Sequence, residues 1–269
     1  MPAQTTTTSA SEKEQFERDG FIVSEPLVDR DLIERSRLHF QQLMSGVYET
    51  GIDPGYPNCP AEIVTGEPES LYRLYQPHLA DRTIRKLVTQ PALGEYAASL
   101  WDASWIQLWG VTFLYKPPFV KEKGNIGWHQ DHHYFTTIWQ PGSEAFFMSL
   151  AISDVTADMG PVLMIRGSHA WGYLREGDFY NQDMQQVRSG ISVPRDAPWE
   201  EVPLVMPGGA VSCHHKDTFH GSLANESGKP RLSVLLELRT ERSTPIARSD
   251  SYYVKHLDDH QTSPVIYGG

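Results

Sequence analysis

The pattern of hydrophobic and polar positions divides the chain into a helical first part and a β-rich second part. From Asp29 to about Val47, apolar residues recur at the spacing of an amphipathic helix. A further helix is predicted from Asp81 to Leu100, and Ser11-Glu-Lys-Glu14 resembles a capping box that starts a short helix. Residues 13–100 are therefore expected to be a mostly helical N-terminal flank. Candidate core contacts of the longer run are Leu32, Ile33, Leu38, Phe40 and Leu43.

From Trp105 onward, short β-rich runs alternate with Gly, Pro and Asn turns, which is typical of an all-β sandwich or barrel. We predict a single domain over residues 1–269, with the β core at 105–240 and a C-terminal tail at 241–269. The stretch from Ala170 to Pro198 is polar with interspersed aromatic residues, and a loop of this length is usually functional or mobile. The predicted strands are Phe21–Val23, Trp105–Tyr115, Ala145–Ile152, Val162–Ile165, Val202–Val205, Ala210–Cys213 and Leu232–Leu238.

Composition narrows the possible partners. A chain of 269 residues with 39% hydrophobic content can bury a sizeable core, but its net charge of −11 argues against a nucleic acid or an anionic membrane. Cys59 and Cys213 are far apart, which supports neither a disulfide framework nor a thiolate zinc site. Met1 to Glu14 contains no apolar run that could act as a signal peptide. We expect a cytoplasmic protein with a small-molecule ligand, and the sequence leaves its oligomeric state open.

Three His-x-Asp pairs are candidates for part of a metal site. An iron(II) site of the facial-triad type needs two His and one carboxylate, and residues i and i+2 of a strand point the same way. Chance alone gives about 0.7 such pairs in a chain of this composition, so the pattern by itself is weak. The pairs are His129-Gln-Asp131, His215-Lys-Asp217 and His256-Leu-Asp258.

Position favours the first pair, because the third ligand must come from a distant strand and an Arg must follow it to hold a carboxylate. His129 and Asp131 are followed by His220 and, eleven residues later, by Arg231. Ser222, two residues after His220, would share its strand face and could bind the same carboxylate. The two later pairs lack room for both a distant His and a following Arg.

The motifs around these residues resemble the phytanoyl-CoA hydroxylase family of Fe(II)/2-oxoglutarate-dependent oxygenases. The similar segments are Phe16–Val23, Leu114–Pro118, Trp128–Phe135, Gly160–His169 and His220–Arg231, in family order and spacing. The resemblance implies a double-stranded β-helix, a jelly-roll and cupin-like core, with flanking helices.

The resemblance also implies a ligand set and a reaction. Fe(II) would be held by His129, Asp131 and His220, and 2-oxoglutarate by Arg231 and Ser222, with Thr112 as a further cosubstrate contact. Related halogenases carry a small residue at the position of Asp131, so hydroxylation-type chemistry is favoured. The enzyme would consume O2, release succinate and CO2, and use ascorbate as the reductant in vitro. Its place would be in secondary metabolism.

Several alternatives remain open at this level. His214 or His215 could replace His220 as the distal ligand, and Arg231 could be a surface residue after a turn. His133 and Phe135 could line the substrate side of the metal or belong to the rim. Trp171 and Phe179 could cap the substrate as a lid or anchor their loop to the body. The rival functions are a cupin-like metalloenzyme that does not use 2-oxoglutarate and a non-catalytic jelly-roll binding module.

Overall fold

Two antiparallel β-sheets form the centre of the computed structural model, which describes residues 7–54, 71–119, 124–247 and 251–269. The strands are β1 (Phe21–Val23), β2 (Tyr72–Tyr75), β3 (Ile106–Lys116), β4 (Ile126–His129), β5 (Ala145–Ala151), β6 (Val162–Ile165), β7 (Glu201–Pro203), β8 (Val211–His214), β9 (His220–Ser222), β10 (Arg231–Thr240) and β11 (Val265–Tyr267). The larger sheet has the order β1-β8-β5-β10-β3-β11, with β2 also paired to β3, and the smaller has the order β4-β9-β6-β7. This is a jelly-roll core, as the resemblance implied.

The described residues form eight α-helices, of which the first five pack against the larger sheet. They are α1 (Ala10–Asp19), α2 (Arg30–Met44), α3 (Pro77–Ala80), α4 (Arg82–Val88), α5 (Pro91–Trp101), α6 (His132–Phe135), α7 (Met184–Ser189) and α8 (Tyr252–Lys255). On β10, Leu232, Val234 and Leu236 are buried in the main hydrophobic cluster with residues of α2, α4 and α5. The alternate residues of β10 face the other way, into a cavity between the two sheets.

A β-bulge in β3 changes which residues reach this cavity. The pairing of β3 with β10 shifts register, so that Glu237 opposes Gly110 while Leu238 opposes Leu108. The extra residue is Trp109, whose side chain lies on the cavity wall although strict alternation from Thr112 would turn it away.

The predicted elements are found, with three corrections. The helix expected over 81–100 is two helices, because Pro91 begins a new one and lacks the N–H that continuation would need. Ser9, rather than Ser11, caps α1, with Glu12 completing the capping box. Leu38 is 60% exposed, whereas the other four proposed core residues of α2 are buried.

The sequence patterns missed four short strands and the role of the C-terminal segment. β2, β4, β9 and β11 are each three or four residues long, and no apolar run marked them, although His220 and Ser222 were expected to share a strand face. The expected tail at 241–269 instead contributes α8 and β11, and β11 pairs with β3. Buried Gln107 holds this segment through hydrogen bonds from Nε2 to the carbonyls of Leu257 (2.7 Å) and Ser263 (2.8 Å).

Two expectations lie wholly or partly outside the described residues. Cys59 is not described, nor is Met1 to Thr6 of the N-terminal segment that was searched for a signal peptide. No helix among the described ranges is long and apolar enough to cross a membrane.

Candidate active site

A buried cluster of two imidazoles and one carboxylate lies where the smaller sheet faces the cavity. His129 ends β4, His220 begins β9, and the two residues are register partners across these strands. One ligand atom from each of His129, Asp131 and His220 lies within 4.8 Å of the others, which is a spacing that can hold a metal ion. Asp131 was expected to lie on the same strand face as His129, but the structure places it in a turn. It has αR backbone angles in the turn after β4, so the chain turns toward the site and Asp131 is not a same-face strand neighbour of His129.

Backbone carbonyls orient both imidazoles. Nδ1–H of His129 donates to the carbonyl of Gly127 (2.8 Å), and Nδ1–H of His220 donates to that of Thr218 (3.0 Å). Nε2 of each ring is therefore left with a free lone pair, 3.5 Å from Oδ1 of Asp131. Burial lowers the pKa of His220 well below its usual value, so this ring is neutral and able to ligate a cation.

His214 fixes the carboxylate of the cluster. Its Nε2 lies 2.7 Å from Oδ2 of Asp131, which leaves Oδ1 directed toward the two imidazoles. Although burial disfavours its charge, the imidazoles of His220, His129 and His214 hold the pKa of Asp131 below its usual range. His214 therefore lies behind the cluster as a partner of Asp131. His215, the other alternative, is half-buried and its Nδ1 lies 3.9 Å from a carboxylate oxygen of Asp217.

Two buried cations lie at the far end of the same cavity. Arg231 is 5% exposed, and Lys116, its register partner on β3, is fully buried. Nζ of Lys116 donates to Oγ of Ser222 (2.8 Å) and to the carbonyl of Leu223, while Nε of Arg231 has no hydrogen-bond partner within the described ranges. Among the described residues neither cation forms an ion pair with a carboxylate. Burial lowers the pKa of Arg231 to about 10 and that of Lys116 well below its usual value, and the charge of Arg231 lowers the latter further.

This pair of cations has the composition of a carboxylate site. Buried charges are normally paired, and a guanidinium beside an ammonium and a hydroxyl offers several donors to one anion. Sequence reasoning found Arg231 and Ser222 but missed Lys116. The signal was present, because Lys116 continues the two-residue alternation of Thr112 and Leu114 and lies inside a segment that resembles the family.

Thr112 lies on the cavity wall, but its hydroxyl is already engaged. Oγ1 donates to Oε1 of Glu237 at 3.1 Å, and both residues are buried. Glu237 is a second residue that sequence reasoning missed. It is in phase with Arg231 on β10, which is the pattern that could have revealed it.

The cavity has a volume of about 290 Å³ and is largely aromatic on the side of the cluster. Phe179 lies with its ring centroid 4.8 Å from that of His129, and Phe135 also lines the wall. His133 and Trp171 are not among the described residues that line it. His133 is exposed and contacts the hydroxyl of Tyr173, because it projects outward from the turn of α6. Trp171 packs against Trp199 and Phe219.

Backbone hydrogen bonds hold Phe179 in place over the cluster. The amide of Gly127 donates to the carbonyl of Phe179 (3.0 Å), and the amide of Asp178 donates to that of Trp128 (2.9 Å). A Cβ at residue 127 would lie 2.0 Å from the carbonyl oxygen of Asp178, so this close approach requires glycine. The long stretch at 170–198 is thus attached to β4 next to His129, where β4 reaches the His-Asp-His cluster.

A jelly roll with a buried His-Asp-His cluster and a separate pair of buried cations in one cavity is the architecture of a metal-dependent oxygenase. A family model described as phytanoyl-CoA dioxygenase (PhyH) matches residues 16–233. The chain belongs to this family and is accordingly a non-haem iron, 2-oxoglutarate-dependent enzyme, as expected from its motifs.

Individual relatives are distant. The chain is 23% identical to the ectoine dioxygenase of Bordetella parapertussis over 246 residues, covering 88% of this chain and 77% of the relative. It is 26% identical to that of Sphingopyxis alaskensis over 242 residues, covering 85% and 74%. Among solved structures, the carbocyclase SnoK from nogalamycin biosynthesis has a TM-score of 0.70 at 19% identity, covering 96% of this chain and 94% of SnoK. EctD from S. alaskensis with 2-oxoglutarate and 5-hydroxyectoine has a TM-score of 0.66 at 19% identity, covering 92% and 83%. At these identities the structural matches show the fold alone.

Proposed function

We propose that the protein oxidises a C–H bond of a small organic molecule, by hydroxylation, with conversion of 2-oxoglutarate to succinate and CO2. The observation that carries this proposal is a pair of buried cations without a carboxylate partner among the described residues: Arg231, in the same cavity as the His-Asp-His cluster, and Lys116 beside it. A metalloenzyme that did not use an anionic cosubstrate would have no use for two buried positive charges there.

We assign His129, Asp131 and His220 as the three ligands of Fe(II). Three protein ligands on one face of a metal leave three positions open for other groups. When bound, iron supplies the oxidising chemistry with 2-oxoglutarate and O2. The protein holds the ligands in place: the Gly127 and Thr218 carbonyls fix the two imidazoles, and His214 fixes the carboxylate of Asp131.

Arg231, Lys116 and Ser222 would bind the distal carboxylate of 2-oxoglutarate. The guanidinium can donate two parallel hydrogen bonds to a carboxylate, while the ammonium adds a point charge. Thr112, which was expected to be a cosubstrate contact, lies on the wall with its hydroxyl donated to Glu237. We therefore propose that it supports Glu237 and has no direct part in binding 2-oxoglutarate.

Phe179 and Phe135 would exclude water from the reacting centre and pack against the substrate. Both rings lie on the cavity wall, and that of Phe179 lies against His129. Hydroxylation is favoured over halogenation because Asp131 fills the carboxylate position that a halide would need.

The experiment that tests this proposal is anaerobic titration of the iron(II)-loaded protein with 2-oxoglutarate. We expect a visible absorption band and, after addition of O2 and ascorbate, formation of succinate. A cupin-like enzyme that does not use 2-oxoglutarate would bind iron without the band. A non-catalytic binding module would form no succinate under any condition, and either result would refute the proposal.

A further inference from the structure

The cavity wall contains a buried carboxyl group that the proposed iron and 2-oxoglutarate sites do not use. Glu237 is 6% exposed and lies on the inward face of β10, six residues from Arg231. At the rise of an extended strand, six residues separate their backbones by about 20 Å. The strand therefore presents a cation to one end of the cavity and an acid to the other.

The structure leaves space for this carboxyl, and the described residues give it one hydrogen bond. A Cβ at residue 110, the register partner of Glu237, would lie 2.2 Å from Oε2 of Glu237, so any larger residue there would displace the carboxyl. Thr112 donates to Oε1. No Lys, Arg or His within the described ranges forms an ion pair with Glu237. Arg73, a cation on the same wall, lies 4.4 Å from the ring centroid of Phe179.

Burying an ionised carboxylate at this position costs free energy unless a cation pairs with it. Burial raises the pKa of Glu237 to about 8, against the hydrogen bond from Thr112 that lowers it. A buried carboxylate is usually paired or neutral, and a cationic ligand would restore its charged form. The surrounding wall is aromatic, and aromatic faces also attract organic cations. Its rings belong to Trp109, Tyr134, Phe135, Phe147, Phe179 and Tyr253.

The carboxyl of Glu237 also lies within reach of the His-Asp-His cluster. Glu237 pairs with Phe147 across the sheet, and Phe147 pairs with His214, whose Nε2 contacts Asp131. Two strand spacings separate Glu237 from His214 by about 10 Å. A small molecule can span that distance, with one end at Glu237 and a C–H bond facing the cluster.

We propose that Glu237 is the specificity-determining residue of this enzyme, and that its carboxylate binds a protonated amine or another cationic nitrogen on the substrate. This inference rests on the proposed function and names its substrate class: a small organic cation with an apolar or aromatic body. Thr112 and Gly110 are positioning residues for Glu237. The first donates to the carboxyl, and the second leaves the space that it occupies.

The test is a binding experiment with two matched probes, 2-phenylethylammonium and 2-phenylethanol, on the protein loaded with Fe(II) and 2-oxoglutarate without O2. The probes have nearly the same shape and differ in charge. We expect calorimetry to show the cation binding at least about tenfold more tightly than the alcohol. Equal affinities, or binding of neither probe at millimolar concentration, would overturn the inference without any variant.

Variants then locate the effect. Glu237→Gln keeps the shape of the side chain, and we expect it to lower affinity for the ammonium by about tenfold or more while leaving that for the alcohol unchanged. Glu25→Gln removes one negative charge from an exposed position and should change neither affinity. Equal losses for both probes in Glu237→Gln, or the same loss in Glu25→Gln, would contradict recognition by Glu237.

The absorption band of the iron and 2-oxoglutarate complex separates this inference from the proposed function. A band without preferential cation binding refutes the role of Glu237 and leaves the oxygenase proposal standing. Absence of the band refutes the oxygenase proposal, and the two probes can still be compared on the protein alone. Should Glu237→Gln fail to fold, Gly110→Ala displaces the carboxyl by its Cβ and is expected to cause the same selective loss.

Discussion

The two buried cations, Arg231 and Lys116, differ in what they offer an anion. Arg231 carries a planar fork that stays charged, and it remains the principal charge because burial lowers its pKa only to about 10. Lys116 carries a point charge, and the neighbouring Arg231 and burial both lower its pKa. A bound carboxylate would favour the charged form of both, so cosubstrate binding and the charge state of Lys116 are coupled.

Arg231→Met tests cosubstrate recognition separately from metal binding. Methionine keeps length and apolar packing but removes the charge, and truncating one member of a buried charged pair typically costs about 2–5 kcal/mol. We expect the KM for 2-oxoglutarate to rise by roughly 30-fold or more, since each 1.4 kcal/mol is tenfold. Iron affinity should change little. Lys116→Met should raise the same KM by a smaller factor. The lysine ammonium offers the carboxylate a point charge, without the two parallel hydrogen bonds of a guanidinium. Equal losses of iron and 2-oxoglutarate affinity in Arg231→Met would show that Arg231 supports the metal ligands.

Substitutions of four residues distinguish ligands from their neighbours. Asp131→Ala and His220→Ala should abolish iron binding, because each removes one of three ligands. His214→Ala should weaken iron binding by about 10- to 100-fold, since it leaves Asp131 without its partner. His215→Ala should leave the affinity unchanged. Competition with a coloured chelator measures all four. Loss of iron in His215→Ala equal to that in His220→Ala would show that the distal ligand is wrongly assigned.

At the scale of elements, two aromatic residues of the stretch at 170–198 have different roles. Its backbone is hydrogen-bonded to β4 at Gly127 and Trp128, so Phe179 is held beside His129. Trp171 instead packs into a separate hydrophobic cluster with Trp199 and Phe219. One aromatic residue covers the cluster, and the other attaches the stretch to the body.

Alanine substitutions should separate these two roles. Phe179→Ala opens the apolar cover over His129, so we expect iron to be lost to a chelator several-fold faster with little change in the free energy of unfolding. Trp171→Ala removes a half-buried packing contact and should lower that free energy by about 2 kcal/mol, with the rate of iron loss unchanged. Chelator kinetics and urea unfolding on both variants provide the comparison. If both variants changed the rate of iron loss and the free energy of unfolding to the same extent, the two residues would not have separate roles.

At the scale of the whole molecule, the sequence could predict features that depend on spacing along the chain, but not those that depend on pairing between strands. The spacing from His129 and Asp131 to His220 and Arg231 lies along the chain, so the candidate cluster and one cation could be found by reading it. Lys116 and Glu237 follow the two-residue alternation of their own strands, but their partners, Arg231 and Gly110, are set by the register between β3 and β10, which the sequence alone does not show. The four short strands escaped for a related reason, because pairing with neighbours, rather than their own composition, makes them strands.

The C-terminal segment is joined to the helical layer through His78, and this contact gives a pH-dependent stability. His78 is 1% exposed, its Nε2–H donates to the carbonyl of Thr262 (2.9 Å), and its Nδ1 has no partner among the described residues. Burial lowers the pKa of His78 to about 4 from the usual 6.5. Between these two values the unfolded chain binds a proton that the folded chain does not. The contribution of His78 to the free energy of unfolding is therefore complete above pH 6.5 and is lost as pH falls toward 4.

Replacing this imidazole should reduce the acid sensitivity of the fold. A pKa difference of about 2.5 corresponds to roughly 3 kcal/mol, at 1.36 kcal/mol for each pH unit. His78→Gln retains a donor for the Thr262 carbonyl and cannot take up a proton. We therefore expect its free energy of unfolding to fall by up to about 3 kcal/mol less than that of the parent between pH 7 and pH 4. Urea unfolding at several pH values in this range measures the difference, and His260→Gln, at an exposed position, is the matched control. If His78→Gln and His260→Gln lose stability with falling pH as steeply as the parent, the acid sensitivity arises elsewhere, and the contact of His78 with Thr262 does not couple protonation to folding.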